Sequence, residues 1–424
     1  MAKGVPTMRK AIAFLLLGAL LLALCACGKK EITEEEPLRI AVVSDIHYTG
    51  VESYLYTGSF RAANDVSGTG KQVELLPTLL DAFVAQMLRE KPDCLLITGD
   101  LSFNGARVSH EALIAKLETL REAGVVVLVL PGNHDIDGTA LIFPDGETQY
   151  AESISAEEFA SLYAAYGYDG AASRDPASLS YVYDTGRGVR FFMLDTCFYY
   201  GTVYGRLGEE TMPWLEKELA ACREAGDVPV VAGHHNALVH HPLFAFNYTM
   251  DDGEELRELL MKYGVTLYLS GHLHPQSIVW EEGFCDIATE SFAVYPHRFG
   301  MLELRGGSWR YTAGETDVER WAADSGSTDE RLLQYAAWGR SFFYEQARVQ
   351  AEGGLAASVE DETLRRALCD YFAEANLGYF TGVPAAPAEG ELAEETAKLS
   401  GRSAYYLQTI TGLPDSLSAE GVIG

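Results

Sequence analysis

Positive charge is scarce in this sequence, and its scarcity argues against a polyanionic partner. The 424 residues include 32 lysines and arginines against 61 aspartates and glutamates, which gives a net charge of −29 at pH 7. A surface of this sign repels nucleic acid polymers and anionic lipids, so we expect no nucleic acid partner. A phosphate group bound here needs local positive charge, and a metal ion is the most direct source of it.

Cysteine is also sparse, and its distribution argues against a disulfide framework. Of seven cysteines, Cys25 and Cys27 lie near the N-terminus, and the others are Cys94, Cys197, Cys222, Cys285 and Cys369. Five is an odd number, and several of these cysteines stand inside apolar runs. We therefore expect them to be small residues of the core.

The N-terminal segment lacks an apolar run long enough for a comfortable membrane span, but it has the order of a secretory signal. Basic residues precede the apolar run Ala11–Leu24, and Cys-Ala-Cys-Gly follows. The sequence Leu-Cys-Ala-Cys resembles a bacterial lipobox, which would make Cys27 the lipid-modified first residue of the mature chain. We predict a signal peptide over residues 1–26, a charged tether over 27–37, and an exported protein anchored by lipid to the outer face of the bacterial cytoplasmic membrane. An ordinary cleaved signal is the alternative.

Short apolar runs that end on residues of metal-ligand type organise the first half of the chain. The runs Leu38–Val43, Cys94–Thr98 and Val125–Leu130 lead into Ser-Asp-Ile-His, Gly-Asp and Pro-Gly-Asn-His-Asp. Such runs predict strands buried on both faces of a sheet, and helical spacing over Leu75–Glu90 and Ser109–Ala123 completes a β-α-β pattern. Ligands bind where the strands of such sheets end.

The same pattern, apolar runs that lead into polar residues, continues to about residue 276. Strands are predicted over Val189–Asp195, Val228–Ala232 and Val265–Ser270, the last two leading into Gly-His-His and Gly-His-Leu-His. Residues 48–75 are expected to be a loop, and 136–180 a long insertion with one helix. Alternating segments from Gln276 to Thr312 predict antiparallel strands that make a second sheet. Residues 315–424 are helical by period, contain no histidine, and are predicted to be an appendage of unknown role.

Collected in order, the residues after the strands form five motifs: D-x-H, G-D, G-N-H-D, G-H and G-H-x-H. This ordered set resembles that of the calcineurin-like metallophosphoesterases over roughly residues 38–310. The resemblance implies an α/β fold, a four-layer α/β/β/α sandwich over residues 38–314, that holds two divalent metal ions. It implies that one ion is bound by Asp45, His47 and His274. The other ion would be bound by Asn133, His234 and His272, and Asp100 would bridge the two.

The chemistry of these residues agrees with the resemblance. Aspartate and histidine suit borderline divalent ions, and manganese, iron, zinc and cobalt all tolerate this ligand set. Two such ions a few ångströms apart stabilise the attacking and leaving oxygens of an in-line displacement at phosphorus. The resemblance implies attack by a metal-bridging hydroxide while His134, which is not a ligand, protonates the leaving group. Asp135 would orient its neighbours.

One ligand assignment has an alternative within the sequence. The family usually has a proline two residues after the histidine of its G-H motif, and Asn236 occupies that place after His234. His240 is followed by His241 and Pro242 and so matches that spacing. We prefer His234, because it closely follows the strand over 228–232.

The predicted function is metal-dependent hydrolysis of small phosphodiesters, such as cyclic nucleotides or glycerophosphodiesters. The arginines that phosphoprotein phosphatases carry near G-D and G-N-H are absent, because Asp100 is followed by Leu-Ser-Phe-Asn-Gly and His134 by Asp135. A phosphomonoesterase or nucleotide pyrophosphatase using the same site is one alternative. The other is a non-catalytic surface lipoprotein that binds a partner through its helical region. The complete ligand set favours an enzyme.

Overall fold

The computed structural model describes residues 32–33, 35–50, 54–67, 70–198, 200–355 and 359–423. The predicted signal peptide and Cys27 lie outside these residues. Within them, no helix is both long enough and apolar enough to cross a membrane.

Two mixed β-sheets lie at the centre of the fold. The first sheet contains, in spatial order, the strands Ser418–Val422, Ser308–Glu315, Arg298–Arg305, Leu38–Val43, Cys94–Thr98 and Val126–Leu130. The last three are parallel to one another, and the first three pair antiparallel. The second sheet contains Ser277–Glu281, Phe284–Ala288, Leu267–Ser270, Val228–Gly233, Val189–Leu194, Tyr181–Asp184 and Ser173–Arg174. A separate pair, Leu141–Ile142 with Gln149–Tyr150, lies in the insertion.

Side chains of the second sheet show how the layers stack. In the strand Val189–Leu194, Phe191 and Met193 join the core that contains the first sheet, whereas Phe192 and Leu194 join a second core. Successive strand residues point to opposite faces, so this alternation separates the two cores. The second core also contains apolar residues of the helices Thr211–Ala225 and Gly253–Lys262. The predicted α/β/β/α order is confirmed.

The outer helices of the first sheet follow from apolar spacing. In the helix Leu76–Glu90, the buried residues include Leu76, Leu79, Phe83 and Met87. This i, i+3, i+7 spacing puts them on one stripe of the helix. Burial of each such side chain contributes about 1.5–3 kcal/mol to the folding free energy. The remaining helices of this part are Gly58–Ser67, Arg107–Glu122, Ala156–Leu162 and the short 3₁₀ turns Ala164–Tyr166 and Pro242–Phe244.

Two expectations for this part of the chain are wrong. Residues 48–75 were expected to be a loop, but they include the helix Gly58–Ser67. The antiparallel strands after Gln276 do not form a sheet of their own: two of them extend the second sheet, and two extend the first beside Leu38–Val43. Alternation shows that a strand has one buried face, but it does not specify the partner strand.

The C-terminal region consists of helices with a core of their own and one strand. The helices are Val318–Ser325, Glu330–Leu333, Tyr335–Gly354, Glu362–Phe380, Gly390–Lys398 and Arg402–Thr409. Phe372, Cys369 and Leu407 belong to their shared core. The strand Ser418–Val422 pairs with Ser308–Glu315 at the edge of the first sheet, so the expectation of an entirely helical appendage is wrong at its end. This short strand buries no residue, and Gly421 weakens its strand pattern.

The cysteines of the described residues occupy the positions expected of core residues. Cys94, Cys197, Cys222, Cys285 and Cys369 are all buried and free. Burial raises the pKa of the Cys94 thiol to about 12, so this side chain is a thiol and not a thiolate at neutral pH.

Candidate metal centre

The ends of strands from both sheets bring the predicted ligands together in two adjoining clusters. One cluster contains Asp45, His47, Asp100 and His274, and the other contains Asp100, His234 and His272. Within each cluster the potential ligand atoms lie within 4.8 Å of one another. Asn133 joins the second cluster, because its Oδ1 lies 3.1 Å from Nε2 of His234. All seven residues predicted as ligands therefore meet at one place, and Asp100 belongs to both clusters.

Among the residues that the structure describes, several polar atoms in these clusters have no hydrogen-bond partner. Oδ1 of Asp45 and Nε2 of His272 are both buried without such a partner. Nε2 of His47 lies 3.2 Å from Nε2 of His274, so two ring nitrogens point at each other. A buried polar atom without a partner costs about 1–3 kcal/mol. Divalent cations between these oxygen and nitrogen donors would remove that cost, so the residues fit two metal ions.

The backbone around the clusters adopts an uncommon conformation. A positive φ occurs at five of the predicted ligands, with values of 50° at Asp45, 47° at His47, 50° at Asp100, 62° at His272 and 77° at His274. Residues other than glycine seldom adopt the left-handed region, and such strain costs of order 1 kcal/mol or more per residue. The concentration of this backbone strain at the predicted ligands is typical of a functional site, where the surrounding structure holds side chains in a fixed direction.

Hydrogen bonds orient the ligand atoms. Oδ2 of Asp45 accepts bonds from the Ser44 hydroxyl at 2.6 Å and from the His272 backbone N–H at 2.9 Å, which leaves Oδ1 toward the cluster. His234 donates from Nδ1 to the Thr98 carbonyl at 2.9 Å, so its Nε2 carries the lone pair that faces Asp100. Histidines that bind metals are typically fixed in this way.

His240 lies elsewhere. Its Nδ1 is 2.9 Å from the Ser277 hydroxyl, and its Nε2 is 3.3 Å from Oδ2 of Asp286. Neither cluster includes it. The structure therefore brings His234, and not His240, to the other predicted ligands.

Glycines in the motifs allow the loops to approach one another closely. A Cβ atom on Gly132 would lie 2.2 Å from both the backbone N and the Oδ1 of Asp100. Gly99 has φ +93°, and a Cβ there would lie 2.5 Å from Nδ1 of His234. Both distances are far inside van der Waals contact, so glycine is required at these positions.

The pKa values of the histidines favour metal ligation. Burial lowers the pKa of His272 to about 3 and that of His47 well below its ordinary value. These imidazoles are therefore neutral near pH 7, which is the form that donates a lone pair to a metal. At His234 burial also lowers the pKa, but the carboxylates of Asp100 and Asp45 outweigh it, and the net shift is upward. A proton and a metal ion would compete for this ring.

His134 lies at the exposed side of the centre. Its backbone N–H donates to Oδ1 of Asp100 at 2.9 Å, and its Nδ1 is 3.1 Å from the Phe103 carbonyl. Because a carbonyl only accepts, Nδ1 carries the hydrogen of that bond, and Nε2 remains as the atom that can exchange a proton. The ring centroid lies 5.0 Å from that of His47.

Asp135 contacts the backbone of both motif loops. Its carboxylate accepts N–H bonds from Gly132 at 2.9 Å, Leu101 at 3.1 Å and Ser102 at 2.8 Å. Burial and the nearby charge of Asp100 raise its pKa. These contacts join the loop after Val126–Leu130 to the loop after Cys94–Thr98, which suits an orienting role.

Lys71 is a charged group that sequence reasoning missed. Its Nζ lies 5.9 Å from the centroid of the Phe103 ring. Burial lowers its pKa to about 8, and the opposite charges of Asp100 and Asp45 limit that decrease. Lys71 thus adds positive charge beside the carboxylates in an acidic protein. No motif marked it, because it lies in a segment that was expected to be a loop.

A cavity of about 440 Å³ adjoins the clusters. Asp100, Asn133, His134, His272 and His274 line one side of it. The lining also includes Phe372, Asn376 and Tyr406 of the C-terminal region, for which the sequence indicated no role. The C-terminal helices therefore form a wall of the candidate active site.

Comparison with known families defines the class of this protein. Residues 38–276 match the family model "Calcineurin-like phosphoesterase", and residues 317–410 match "C-terminal domain of cyclic nucleotide phosphodiesterase". The first match covers more than half of the chain. The protein belongs to the calcineurin-like phosphoesterase family and is a metal-dependent phosphoester hydrolase.

Individual relatives are distant. A 3′,5′-cyclic-nucleotide phosphodiesterase of Nostoc sp. is 27% identical over 244 residues, which are 57% of this chain and 74% of that protein. A glycerophosphodiester phosphodiesterase of Enterobacter lignolyticus is 26% identical over 193 residues, which are 44% of this chain and 58% of that protein. The structure of a dimetal phosphatase from Danio rerio aligns at a TM-score of 0.46 with 15% identity, and covers 66% of this chain and 97% of that one.

Proposed function

We propose that the protein hydrolyses small phosphodiesters at a dinuclear metal centre. In this proposal Asp45, His47 and His274 hold one divalent ion. Asn133, His234 and His272 hold the other. The observation that carries the proposal is the position of Asp100 in both clusters, because a carboxylate shared between two ions fixes their separation.

The bound ions would supply Lewis-acid stabilisation of the phosphoryl oxygens and an activated water for attack. Residues of the chain carry out the remaining catalytic roles. His134 donates a proton from Nε2 to the departing oxygen, since its Nδ1 is held by the Phe103 carbonyl. Lys71 places its ammonium beside the carboxylates of Asp100 and Asp45 and adds positive charge to the site. Asp135 holds the two motif loops in register through their backbone N–H groups.

The cavity beside the clusters supports a diester substrate. In a phosphodiester two of the phosphate oxygens are esterified, either to two groups or, in a cyclic nucleotide, both to one nucleoside, and this organic part needs space beside the metal ions. The cavity of about 440 Å³ extends from the clusters to the C-terminal helices and offers that space. The two relatives named above that match in sequence are phosphodiesterases of cyclic nucleotides and of glycerophosphodiesters, and these substrates are small diesters.

The test is turnover of bis-p-nitrophenyl phosphate against p-nitrophenyl phosphate by protein stripped of metal and then supplied with manganese. We expect metal-dependent hydrolysis of the diester well above that of the monoester. Preference for the monoester would replace the proposal with a phosphomonoesterase on the same site. Absence of turnover with manganese, iron, zinc and cobalt would favour the non-catalytic binding lipoprotein.

We further propose that the protein is exported and anchored by a lipid on Cys27, on the basis of the N-terminal sequence alone. Metabolic labelling with a radioactive fatty acid tests this. Wild-type protein should incorporate label and fractionate with membranes, and Cys27→Ser should do neither. Labelling of Cys27→Ser at the wild-type level would refute the assignment.

A further inference from the structure

The cavity beside the metal clusters has a wall of contiguous aromatic rings. The Tyr248 ring lies 4.8 Å from the ring of His272, one of the proposed ligands, and 5.0 Å from the ring of Phe244. The Phe244 ring lies 6.1 Å from that of Tyr406, which lies 6.1 Å from that of Phe372. These five rings run from the metal centre to the helices Glu362–Phe380 and Arg402–Thr409, so the wall joins the family domain to the C-terminal region.

A buried amide stands in this wall. Asn376 is 5% exposed, and its Oδ1 accepts a hydrogen bond of 2.7 Å from the Tyr406 hydroxyl. That bond directs the amide, and its Nδ2 makes no hydrogen bond to the residues that the structure describes. Asn376 also lines the cavity. The amide therefore offers two N–H donors to whatever occupies the space between the rings.

The combination of aromatic rings with a fixed amide selects among the organic groups that a small diester can carry. A glycerol or ethanolamine group is small and polar and would leave the aromatic surface uncovered. An acyl chain would cover that surface but would leave the amide donors without a partner, at a cost. A purine or pyrimidine stacks on aromatic faces and presents hydrogen-bond acceptors at its edge, as adenine does to asparagine. The cavity volume of about 440 Å³ also lies in the range of small-molecule binding sites.

We propose that the C-terminal helices carry a nucleobase subsite, in which the ring of a nucleoside cyclic phosphate packs against Tyr406 and Phe372 and its edge accepts from Asn376. The inference rests on the proposed phosphodiesterase function, because it assumes that the phosphate lies at the metal clusters. It assigns substrate selection to a part of the chain that contributes no metal ligand.

Binding of adenosine tests the subsite without any chemistry at phosphorus. Calorimetry would be carried out with and without manganese on wild type, Asn376→Leu and Tyr406→Phe. Asn376→Leu keeps the shape and removes the donors, and Tyr406→Phe keeps the ring and removes the hydroxyl that holds the amide. Loss of one such hydrogen bond should raise the Kd for adenosine by about tenfold. Tyr405→Phe is the matched control, because Tyr405 is exposed on the same helix and does not line the cavity.

Kinetics separates this inference from the proposed function. We expect Asn376→Leu to lower, by about tenfold, the ratio of kcat/KM for adenosine 3′,5′-cyclic phosphate to that for glycerophosphoethanolamine, which has no base. Tyr405→Phe should leave the ratio unchanged. Diester hydrolysis without adenosine binding, or equal weakening by Tyr405→Phe, would overturn the subsite. Adenosine binding that depends on Asn376 in a protein without diester hydrolysis would support the subsite and refute the proposed activity.

Discussion

Substitution of Gly132 by alanine should damage the metal centre from a position that supplies no ligand. The added Cβ would lie 2.2 Å from the backbone N and from Oδ1 of Asp100, and 2.8 Å from its Cγ. These distances are more than ~1 Å inside van der Waals contact between non-bonded atoms. The contact cannot be relieved by rotating a flexible side chain, because the first atom met is backbone. Asp100 must therefore move relative to both clusters.

The magnitude follows from the kinds of contact that are lost. Overpacking alone costs about 1–3 kcal/mol of folding free energy. Displacement of Asp100 also breaks the bond from the His134 N–H and separates the carboxylate from both clusters. A misplacement of about 1 Å at a reacting centre can cost about a hundredfold in rate. We thus expect a Tm lower by several degrees, fewer than two bound ions per chain, and a diester turnover at least about a hundredfold lower.

The assays are calorimetric unfolding, metal content by mass spectrometry and bis-p-nitrophenyl phosphate turnover. Gly307→Ala is the matched control: a Cβ on Gly307 meets no atom within 4 Å, and Gly307 is not among the glycines with positive φ. It should behave as wild type. Full metal content and turnover in Gly132→Ala would refute the geometric reasoning about Asp100.

Three further perturbations test the remaining parts of the account. His134→Ala should slow diesters with alkyl leaving groups by about 10²–10⁴ and p-nitrophenyl diesters much less, because only a poor leaving group needs the proton; equal losses would contradict the general-acid role. Lys71→Met should raise KM for the diester, because it removes the positive charge beside Asp100 and Asp45. Lys71→Arg, which keeps the charge, should retain the wild-type KM, and an unchanged KM in Lys71→Met would exclude Lys71 from phosphate binding. Burial raises the pKa of Glu290 well above its ordinary value, and its Oε1 has no hydrogen-bond partner within the described part of the chain. A carboxyl group of this kind destabilises the fold increasingly as pH rises above the unfolded pKa, so Glu290→Gln should raise Tm more at pH 8 than at pH 5, and the reverse order would be evidence against the buried carboxyl.

Much of the fold and all the proposed metal ligands could be predicted because each ligand follows a buried strand. Runs such as Cys94–Thr98 are apolar throughout, so their ends are visible in the sequence, and the polar residue that follows has a defined place at the edge of a sheet. The order of the five motifs then resembles that of one family, and this resemblance implied which residues, such as Asp100 and His272, bind the ions.

The substrate side of the site could not be predicted in the same way. Asn376 and Tyr406 lie on amphipathic helices, where one polar residue next to an apolar stripe has no pattern of its own. Their contact with the cavity depends on tertiary packing between the C-terminal helices and the sandwich. Lys71 and the strand Ser418–Val422 were missed for a related reason, since neither a lone lysine in a polar segment nor a short edge strand produces a periodic signal.

In the proposed centre, Asp100 joins two metal ions into one catalytic unit. The most direct test of this role is the manganese content and diester turnover of wild type and Asp100→Asn after metal removal and reloading. The asparagine keeps the shape but loses the charge. We predict two ions per chain and metal-dependent diester hydrolysis in wild type, and fewer ions with no measurable turnover in a folded Asp100→Asn protein. Full hydrolysis by Asp100→Asn, or one ion per active wild-type chain, would contradict the account.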